Sequence, residues 1–382
     1  QVIGFRDYDP SHPFDVSEKH IIANRKITLN YAPLKGSVSI GGLSEDTIHK
    51  FGLGYSNVYR DDLYKYLKSK GYDDKVIMDS GLAKFDEKYG ASDVFWNRVM
   101  FPIMDQNGKV IGFGGRVMGD GLPKYVNSQE TEIYEKRRHL YGFYLARRSK
   151  REGFILCEGY MDVISMHQAG FDNATASLGT AFTIQQAMLL KRFTDKVYLA
   201  YDSDGAGVNA ALKAIPILRE VGISARVISM KPYKDPDEFI KALGAGEFEQ
   251  RIRDAESSIM FQVRIASEKY NQQDPEGRTQ FQQEIVQIVS VLQSPLERDN
   301  YIEAIANQYF IDRKKLTDSI NQYGAYRRER QSIEQAVQEE KPQDARRRER
   351  MEQRKGQPQS LLLTWLVNYP DQLFPQLSGK IT

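Results

Sequence analysis

Acidic side chains at three separate places along the chain are the residues best suited to chemistry. Each place follows a short apolar run that is typical of a buried strand, and the acids are Glu158, Asp202, Asp204, Asp235 and Asp237. Carboxylates that converge repel one another unless a cation lies between them, and their hard oxygen atoms favour Mg²⁺ or Mn²⁺. A magnesium site of this kind suits phosphoryl-transfer chemistry on a nucleic acid.

The spacing within two of these places supports a shared site. In Asp202-Ser203-Asp204 an extended backbone directs both carboxylates to the same side, because side-chain direction repeats every two residues. Asp235-Pro236-Asp237 has the same spacing, and its proline stiffens the backbone. The alternative is that each acid only caps a helix or occupies its first turn, as Asp commonly does. That alternative explains one acid well, but it explains three ordered motifs less well.

A regular alternation of strands and helices is needed to bring these acids together. Strands are predicted at 154–157, 174–177, 197–201 and 225–229, and helices at 161–169, 184–193, 207–221 and, as a short helix, after Pro236. This order is typical of a parallel sheet with helices on its faces. The carboxyl ends of the strands then share one edge, where ligands bind. We therefore expect an α/β fold in which the acids meet at that edge.

Basic side chains cluster upstream of the acids, between Arg98 and Arg151. Helices are predicted at 61–67 and 73–77, and strands at 98–103 and 110–113 with a tight turn at Asn107-Gly108. The glycines between Gly112 and Pro123 allow the backbone around Arg116 to approach a ligand closely. A basic surface that faces an acidic metal site suits a polyanionic substrate. The alternative is an ordinary solvated basic surface.

The composition excludes several classes of protein. The single cysteine, Cys157, excludes a disulfide framework and a Cys-based zinc site within this chain, and it makes the cytoplasm the default location. No apolar run approaches the ~20 residues that span a bilayer, so we expect no contact with a membrane. The formal net charge of +2 averages opposite local charges and therefore indicates little.

The C-terminal part is predicted to be helical throughout 247–322. Ser294-Pro295-Leu296-Glu297 combines an N-cap serine, a proline in the first turn and a capping-box glutamate. Residues 324–360 are rich in Arg, Glu and Gln and are interpreted as a charged linker. An apolar pattern then resumes from Leu361 to Val367, as though another domain begins there.

The acidic motifs resemble those of a TOPRIM domain, and the residues within them are similar to those of bacterial DNA primases of the DnaG type. The motifs are Glu158-Gly159-Tyr160-Met161-Asp162-Val163, Tyr201-Asp202-Ser203-Asp204-Gly205-Ala206-Gly207 and Lys234-Asp235-Pro236-Asp237-Glu238, with Ser177-Leu178-Gly179-Thr180-Ala181 between the first two. The upstream half resembles the same family in Arg98-Val99-Met100-Phe101-Pro102-Ile103, Gly114-Gly115-Arg116, Pro123-Lys124-Tyr125-Val126-Asn127-Ser128 and Tyr141-Gly142. The likeness covers about residues 1–320.

The resemblance implies synthesis of short RNA primers on single-stranded DNA from ribonucleoside triphosphates, during replication, by metal-dependent nucleotidyl transfer. It implies metal binding by the five acids, and catalysis by Glu158, Asp202 and Asp204, with Glu158 as either a ligand or a proton acceptor. Asp162 lies one helical turn further on and is a candidate for orienting the ligands. The nucleotide- and DNA-binding residues would be Arg98, Arg116, Lys124, Tyr125, Asn127 and Lys136. For Tyr125, a packed aromatic is the equal alternative.

The resemblance also implies a domain organisation. The family begins with a zinc-binding module that no Cys/His set here can form, so we expect zinc only in that missing module. The replicative helicase is the expected partner of the C-terminal domain. The expected parts are a basic α+β subdomain (1–150), a TOPRIM subdomain (151–245), a helical subdomain (246–323), a charged linker (324–360) and a truncated start of the helicase-binding domain (361–382).

Two other functions remain open on the sequence. The first is another TOPRIM enzyme, a topoisomerase or a nuclease, which nicking or relaxation of DNA would identify. The second is a replisome binding module with an inactive metal site, for which the charged linker and the Leu361–Leu377 segment give some basis.

Overall fold

The computed structural model describes residues 42–179, 181–327 and 329–330, together with the backbone of Ile21–Ile22 and Arg25–Lys26. The chain divides into two compact units, Gln1–Gln262 and Val263–Thr382. Most of the expected linker 324–360 and the whole of the expected segment 361–382 lie outside the described residues. None of the helices in the described ranges combines the length and the apolar character needed to cross a bilayer.

The strands of the described residues are short and fall in the first unit. They are β1 (Ile21–Ile22), β2 (Arg25–Lys26), β3 (Gly54–Ser56), β4 (Ala83–Asp86), β5 (Gly90–Asp93), β6 (Arg98–Met104), β7 (Val110–Val117), β8 (Tyr125–Asn127), β9 (Phe154–Cys157), β10 (Ala174–Ala176), β11 (Lys196–Ala200), β12 (Ser224–Val227) and β13 (Glu256–Ser257).

The helices connect these strands and then form the second unit. They are α1 (Glu45–Phe51), α2 (Asp62–Ser69), α3 (Asp74–Asp79), α4 (Phe143–Ala146), α5 (Tyr160–Gln168), α6 (Ile184–Lys191), α7 (Gly205–Glu220), α8 (Pro236–Arg253), α9 (Ser258–Lys269), α10 (Pro275–Ser290) and α11 (Pro295–Tyr309), with a 3₁₀ turn at Lys136–Arg138. Residues 313–327 are also helical.

The upstream half contains an antiparallel sheet in the order β3-β6-β7-β8. The turn between β6 and β7 contains Gly108 at a φ of 80°, which is the left-handed conformation that the Asn-Gly pair predicts. In the register of this sheet, Arg98 pairs with Val117 and Arg116 pairs with Val99. Because neighbouring residues of a strand point to opposite faces, Arg98 and Arg116 lie on opposite faces of the sheet.

The downstream half contains a sheet in the order β10-β9-β11-β12-β13, in which the first four strands are parallel and β13 is antiparallel to β12. The apolar run of β9 is buried at every residue, as expected for a strand with both faces covered. From β9 the chain first adds β10 on one side, and β11 then pairs on the other side. The carboxyl ends of β9 and β11 therefore meet at the point where the strand order reverses.

The α/β fold class is confirmed, but two local predictions were wrong. The helix after Pro236 is not short, because it extends to Arg253 across a break at Gly244, whose φ of 82° is non-helical. The region from 247 is not helical throughout, because β13 adds an antiparallel edge strand through pairs such as Val227 with Glu256. Both differences depend on contacts with the sheet, which the local pattern does not contain.

One apolar core joins the two halves of the first unit. It contains Val99 and Phe101 of the antiparallel sheet, together with Ile155, Tyr160 and Ala200 of the parallel half. A second cluster covers the other face of the antiparallel sheet, where Met100 packs with Phe95. The two halves of this unit therefore share a core, and their polar residues are held in a defined relation to one another.

Candidate active site

Glu158 and Asp202 meet at the switch point of the parallel sheet. Glu158 follows β9 and Asp202 follows β11, two strands that pair directly. The Oε1 atom of Glu158 accepts a hydrogen bond of 2.9 Å from the backbone N–H of Asp202. Gly207 allows this close approach, because a Cβ atom there would lie 2.1 Å from the Asp202 carbonyl oxygen and 2.7 Å from Glu158 Oε1. The two acidic loops are thus packed against each other as predicted.

Asp204 and Asp235 are the N-caps of two helices. The Oδ1 atom of Asp204 accepts from Ala206 N at 2.9 Å and from Gly207 N at 3.0 Å, at the start of α7. The Oδ1 atom of Asp235 accepts from Glu238 N at 2.8 Å, at the start of α8. Both acids therefore cap helices, and whether they also bind metal stays a prediction. Their Oδ2 atoms form no hydrogen bond with a described residue, so each carboxylate keeps an oxygen that can bind a ligand.

Asp237 has different partners from the other acids. Its Oδ1 atom accepts a hydrogen bond of 2.6 Å from Ser165 Oγ on α5. Its Oδ2 atom lies 2.6 Å from the Lys241 ammonium group one turn further along α8. Both of its oxygens are thus engaged by residues other than the acids of the site. Asp237 connects α5 with α8, and this structural role was not predicted from the spacing.

Burial and neighbouring acids raise the pKa values of Glu158, Asp162 and Asp202. Burial, followed by Asp202 and Asp204, raises the pKa of Glu158 above its ordinary value. Burial, followed by Asp235 and Asp202, raises the pKa of Asp162 to about 7. One nearby cation offsets part of this repulsion, because Lys234 Nζ lies 3.4 Å from Asp202 Oδ2. Glu158, Asp162, Asp202, Asp204 and Asp235 therefore form one coupled group, the acidic cluster.

Arg116 and Tyr125 lie on the face of the antiparallel sheet that contributes to the shared core. They are direct partners across β7 and β8. The guanidinium carbon of Arg116 is 5.7 Å from the centre of the Tyr125 ring, a cation–π distance. Tyr125 in turn stacks on Tyr160 at 6.1 Å between ring centres, while 37% of Tyr125 stays exposed. Tyr125 is therefore both a packed aromatic and a surface on which a base can stack.

Arg98 lies on the opposite face and is only 5% exposed. Its Nη1 atom donates to the carbonyl oxygens of Gly115 at 3.3 Å, Pro123 at 3.0 Å and Lys124 at 3.5 Å. Burial lowers the pKa of this guanidinium from its ordinary value. Arg98 is therefore placed to hold the loop before β8, and the structure does not bring it onto the surface shared by Arg116 and Tyr125.

Lys136 lies in a turn whose backbone carbonyl oxygens accept hydrogen bonds from the start of α6. The buried Gln186 donates through Nε2 to the carbonyls of Lys136 at 3.1 Å and His139 at 2.8 Å. Thr183 Oγ1 donates to the Arg137 carbonyl at 2.7 Å. The backbone of this turn thus faces α6, and the side chain of Lys136 forms no ion pair with a described residue. Lys124, directly before β8, is exposed.

Asn127 uses both ends of its amide. Its Oδ1 atom accepts a hydrogen bond of 2.8 Å from the hydroxyl of Tyr160. Its Nδ2 atom donates at 3.1 Å to the carbonyl oxygen of Leu178, in the loop after β10. Asn127 therefore bridges the antiparallel sheet to two parts of the parallel half, next to the acidic cluster.

Solved structures with the same arrangement identify the family. The chain matches a DnaG primase catalytic domain bound to single-stranded DNA with a TM-score of 0.63 and 33% identity, over 72% of this chain and 88% of that chain. It matches the E. coli primase catalytic core with a TM-score of 0.61 and 34% identity, over 70% and 87% of the two chains. This chain belongs to the DnaG family of bacterial DNA primases.

Family models and curated relatives agree with this DnaG assignment. Residues 38–147 match the N-terminal domain of the DNA primase catalytic core, 155–240 match a Toprim-like domain, and 259–313 match the DnaB-helicase binding domain of primase. The DNA primase of Clostridium acetobutylicum is 41% identical over 73% of this chain and 47% of its own length. The Enterococcus faecalis primase is 33% identical over 84% of this chain and 52% of its own length. The chain spans about half the length of these relatives.

Membership of the DnaG family implies dependence on a divalent metal ion, and the acidic cluster fits one in its chemistry. The donor atoms of the cluster are carboxylate oxygens. These carboxylates repel one another, and a bound cation would relieve that repulsion. Within the described residues, however, no three His, Cys, Asp or Glu side chains are already arranged to hold a metal.

Several polar residues of the site were missed by the sequence reasoning. Tyr160, Gln186 and Ser165 all form their bonds with residues far away along the chain. Lys234 could have been found, because it stands next to Asp235 inside a quoted motif. Tyr160 also stands inside a motif, but a tyrosine beside acids gives no local signal of a bond to Asn127.

Proposed function

We propose that this chain is the catalytic core of a DNA primase, which synthesises short RNA primers on a single-stranded DNA template from ribonucleoside triphosphates. The observation that carries the proposal is the acidic cluster at the switch point of one sheet, joined by Asn127 and Tyr160 to a second sheet that presents Arg116 and Tyr125. Acids that bind a metal and a basic, aromatic surface that binds nucleotides are the two parts that nucleotidyl transfer requires.

In the proposed reaction, a 3′-hydroxyl attacks the α-phosphate of a nucleoside triphosphate, and pyrophosphate leaves. Mg²⁺ or Mn²⁺, when bound, would lower the pKa of the attacking hydroxyl and stabilise charge on the leaving oxygens. Asp202, Asp204 and Asp235 would hold it, and Glu158 would either bind it or accept the proton. Asp162 would orient these residues. Asp237 was part of the predicted ligand set, and each of its oxygens already has a partner, Ser165 or Lys241, that would compete with a metal.

The substrate would be held mainly by charge and stacking. Lys124, Lys136 and Arg116 would neutralise phosphates of the template, the RNA primer or the triphosphate, which makes binding strongly dependent on salt. Tyr125 would stack on a base. Arg98 would contribute indirectly, because its bonds to the Pro123 and Lys124 carbonyls hold the loop that carries Lys124.

The proposed partners follow from the same family. We propose the replicative helicase as a partner of the helical part, where residues 259–313 match the DnaB-helicase binding domain of primase. The segment from Leu361 remains a second proposed contact. The domain limits given by the sequence, a cytoplasmic location at the replication fork, and zinc in an N-terminal module outside this sequence also remain proposals.

The decisive experiment compares two acids at opposite ends of β11. Asp202→Asn is expected to abolish incorporation of ribonucleotides on a single-stranded template with Mg²⁺ or Mn²⁺. Asp195→Asn is the matched control, because Asp195 precedes the strand at its amino end and pairs with Lys191. We expect the control to keep full activity, and both variants to unfold near the wild-type temperature.

Three results would contradict the proposal. Undiminished primer synthesis by Asp202→Asn would exclude a catalytic role for the acidic cluster. Nicking or relaxation of DNA without any incorporation of ribonucleotides would favour the other TOPRIM enzymes. An intact protein that binds the helicase but never incorporates nucleotides would favour the binding-module alternative.

A further inference from the structure

Tyr160 lies at the junction of the two walls of the site. It is the first residue of α5 and follows the Glu158–Gly159 loop, so its backbone belongs to the acidic side. Its side chain is 6% exposed and reaches the antiparallel sheet. There the ring stacks on Phe101 at 5.0 Å and on Tyr125 at 6.1 Å between ring centres. A single side chain thus connects the metal side with the nucleotide side.

The hydroxyl group of Tyr160 fits between two strands. It lies so close to β7 that a Cβ atom at Gly114 would be 2.6 Å from the hydroxyl oxygen. On the neighbouring strand β8, it donates at 2.8 Å to Asn127 Oδ1. Gly114 and Asn127 are direct partners in the sheet. The absence of a side chain at Gly114 therefore creates the space in which the hydroxyl reaches Asn127.

The hydrogen bonds to Tyr160 and to Leu178 together fix the orientation of the Asn127 amide. The amide oxygen accepts from Tyr160, so the Nδ2 group must point away from it, towards the loop after β10. One Nδ2 hydrogen donates to the Leu178 carbonyl. An amide group has two such hydrogens, and no other described residue accepts the second one. The second hydrogen is therefore available for an oxygen atom of a bound ligand.

We propose that Tyr160 is a positioning residue, whose hydroxyl fixes the Asn127 amide so that its N–H group donates to an oxygen of the incoming nucleoside triphosphate. The inference rests on the proposed function, because it assumes that the chain binds such a nucleotide. Without the hydroxyl, only the bond to the Leu178 carbonyl orients the Asn127 amide, so the N–H group is held less firmly towards the ligand.

Tyr160→Phe tests this inference, because it removes one oxygen atom and keeps the aromatic stacking. We expect the KM for ribonucleoside triphosphates to rise about 5- to 10-fold, which corresponds to one hydrogen bond, while kcat stays within about twofold, as expected for lost uniform binding. Tyr141→Phe is the matched control. Tyr141 lies 4.5 Å from Tyr160 in the same aromatic cluster, and its buried hydroxyl has no partner among the described residues. The control is expected to leave both constants unchanged.

A double-mutant cycle separates positioning from general weakening of the fold. Asn127→Ala is expected to raise the KM at least as much as Tyr160→Phe, and Tyr160→Phe is expected to add nothing further in the Asn127→Ala background. A wild-type KM in either single variant overturns the inference. An additive effect, or a lower melting temperature with an unchanged KM, also overturns it. Failure of the wild-type chain to incorporate ribonucleotides would instead contradict the proposed function itself.

Discussion

The acidic cluster and the basic surface carry their charges in two different ways. Each of four acids raises the pKa of another member of the cluster, so the acids behave as one group; the four are Glu158, Asp202, Asp204 and Asp235. The basic residues are separated: Arg98 is buried against carbonyl oxygens, Arg116 lies on the Tyr125 ring, and Lys124 is exposed. Substitutions among the acids should therefore be strongly non-additive, whereas those among the basic residues should add.

The largest expected effect comes from removing one charge of the acidic cluster. Asp204→Asn should lower primer synthesis on the order of 1,000-fold, as the loss of a transition-state electrostatic contact does. Asparagine caps a helix as well as aspartate does, so α7 and the melting temperature should be preserved. Assays of ribonucleotide incorporation and thermal unfolding would measure both.

The same assays can break the description of the acids as one group. Adding Asp202→Asn to the Asp204→Asn variant should lower primer synthesis by a much smaller factor than Asp204→Asn alone does. Full activity of Asp204→Asn would show that capping α7 is its whole role, and multiplied losses in the double variant would show that the acids act separately.

The second effect concerns the buried basic residue. Arg98→Lys keeps the charge but not the fork that reaches the carbonyls of Gly115, Pro123 and Lys124. We expect a loss of about 2 kcal/mol in the free energy of unfolding, because buried carbonyls lose their donor. Urea denaturation would measure it, with the partly exposed Lys136→Gln as a control of unchanged stability. An equally stable Arg98→Lys protein that binds DNA poorly would place Arg98 among the ligand-binding residues instead.

The third effect is a dependence of the free energy of unfolding on pH, which has opposite signs in the two halves. Burial raises the pKa of Asp93 to about 6, so its contribution to stability is present at low pH and is lost as the pH rises from about 4 to 6. Burial lowers the pKa of His167 to about 4, so its contribution is present above pH 6.5 and is lost as the pH falls towards 4. Each contribution is about 3 kcal/mol at most.

Single variants would separate these two contributions. In the Asp93→Asn variant, the free energy of unfolding should rise more steeply between pH 4 and 6.5 than it does in the wild type. In the His167→Gln variant, the free energy of unfolding should fall between pH 4 and 6. Urea denaturation at several pH values would give the slope of the free energy of unfolding against pH. This slope is the test, because altered hydrogen bonds shift the free energy of unfolding by the same amount at every pH. Parallel slopes in the two variants would contradict the assigned pKa shifts.

The smallest effect is expected on the exposed part of the basic surface. Lys124→Gln should weaken binding to single-stranded DNA by about 5- to 10-fold, and it should reduce the salt dependence by about one phosphate contact. The melting temperature should not change, because the side chain is exposed. Binding isotherms at several salt concentrations would test this. A salt slope equal to that of the wild type would exclude a direct phosphate contact.

Residues at the ends of elements were predictable from the sequence. An apolar run followed by an acid predicts a strand end, so the sequence led to Glu158 and Asp202, which meet at the switch point. Residues within strands were harder to interpret. Arg98 and Arg116 look equivalent in the sequence, but the register of β6 and β7 places them on opposite faces.

Long-range partners explain the remaining differences. Asp237 looks like Asp235 in the sequence, but Asp237 accepts a hydrogen bond from Ser165, which lies 72 residues earlier. Asn127 was predicted as a ligand-binding residue, and its bond to Tyr160 arises only when the two sheets pack together. Such pairings depend on tertiary packing, which no local spacing encodes.

The N-cap of α7 has a consequence for observing the site in solution. The amide hydrogens of Ala206 and Gly207 are held by the same Asp204 carboxylate that belongs to the acidic cluster. If a divalent cation draws this carboxylate away, those two amides lose their acceptor and should exchange with deuterium faster. If the carboxylate binds the cation through its other oxygen, they should exchange more slowly. The first turn of α7 is therefore a built-in isotope-exchange reporter of how the metal binds.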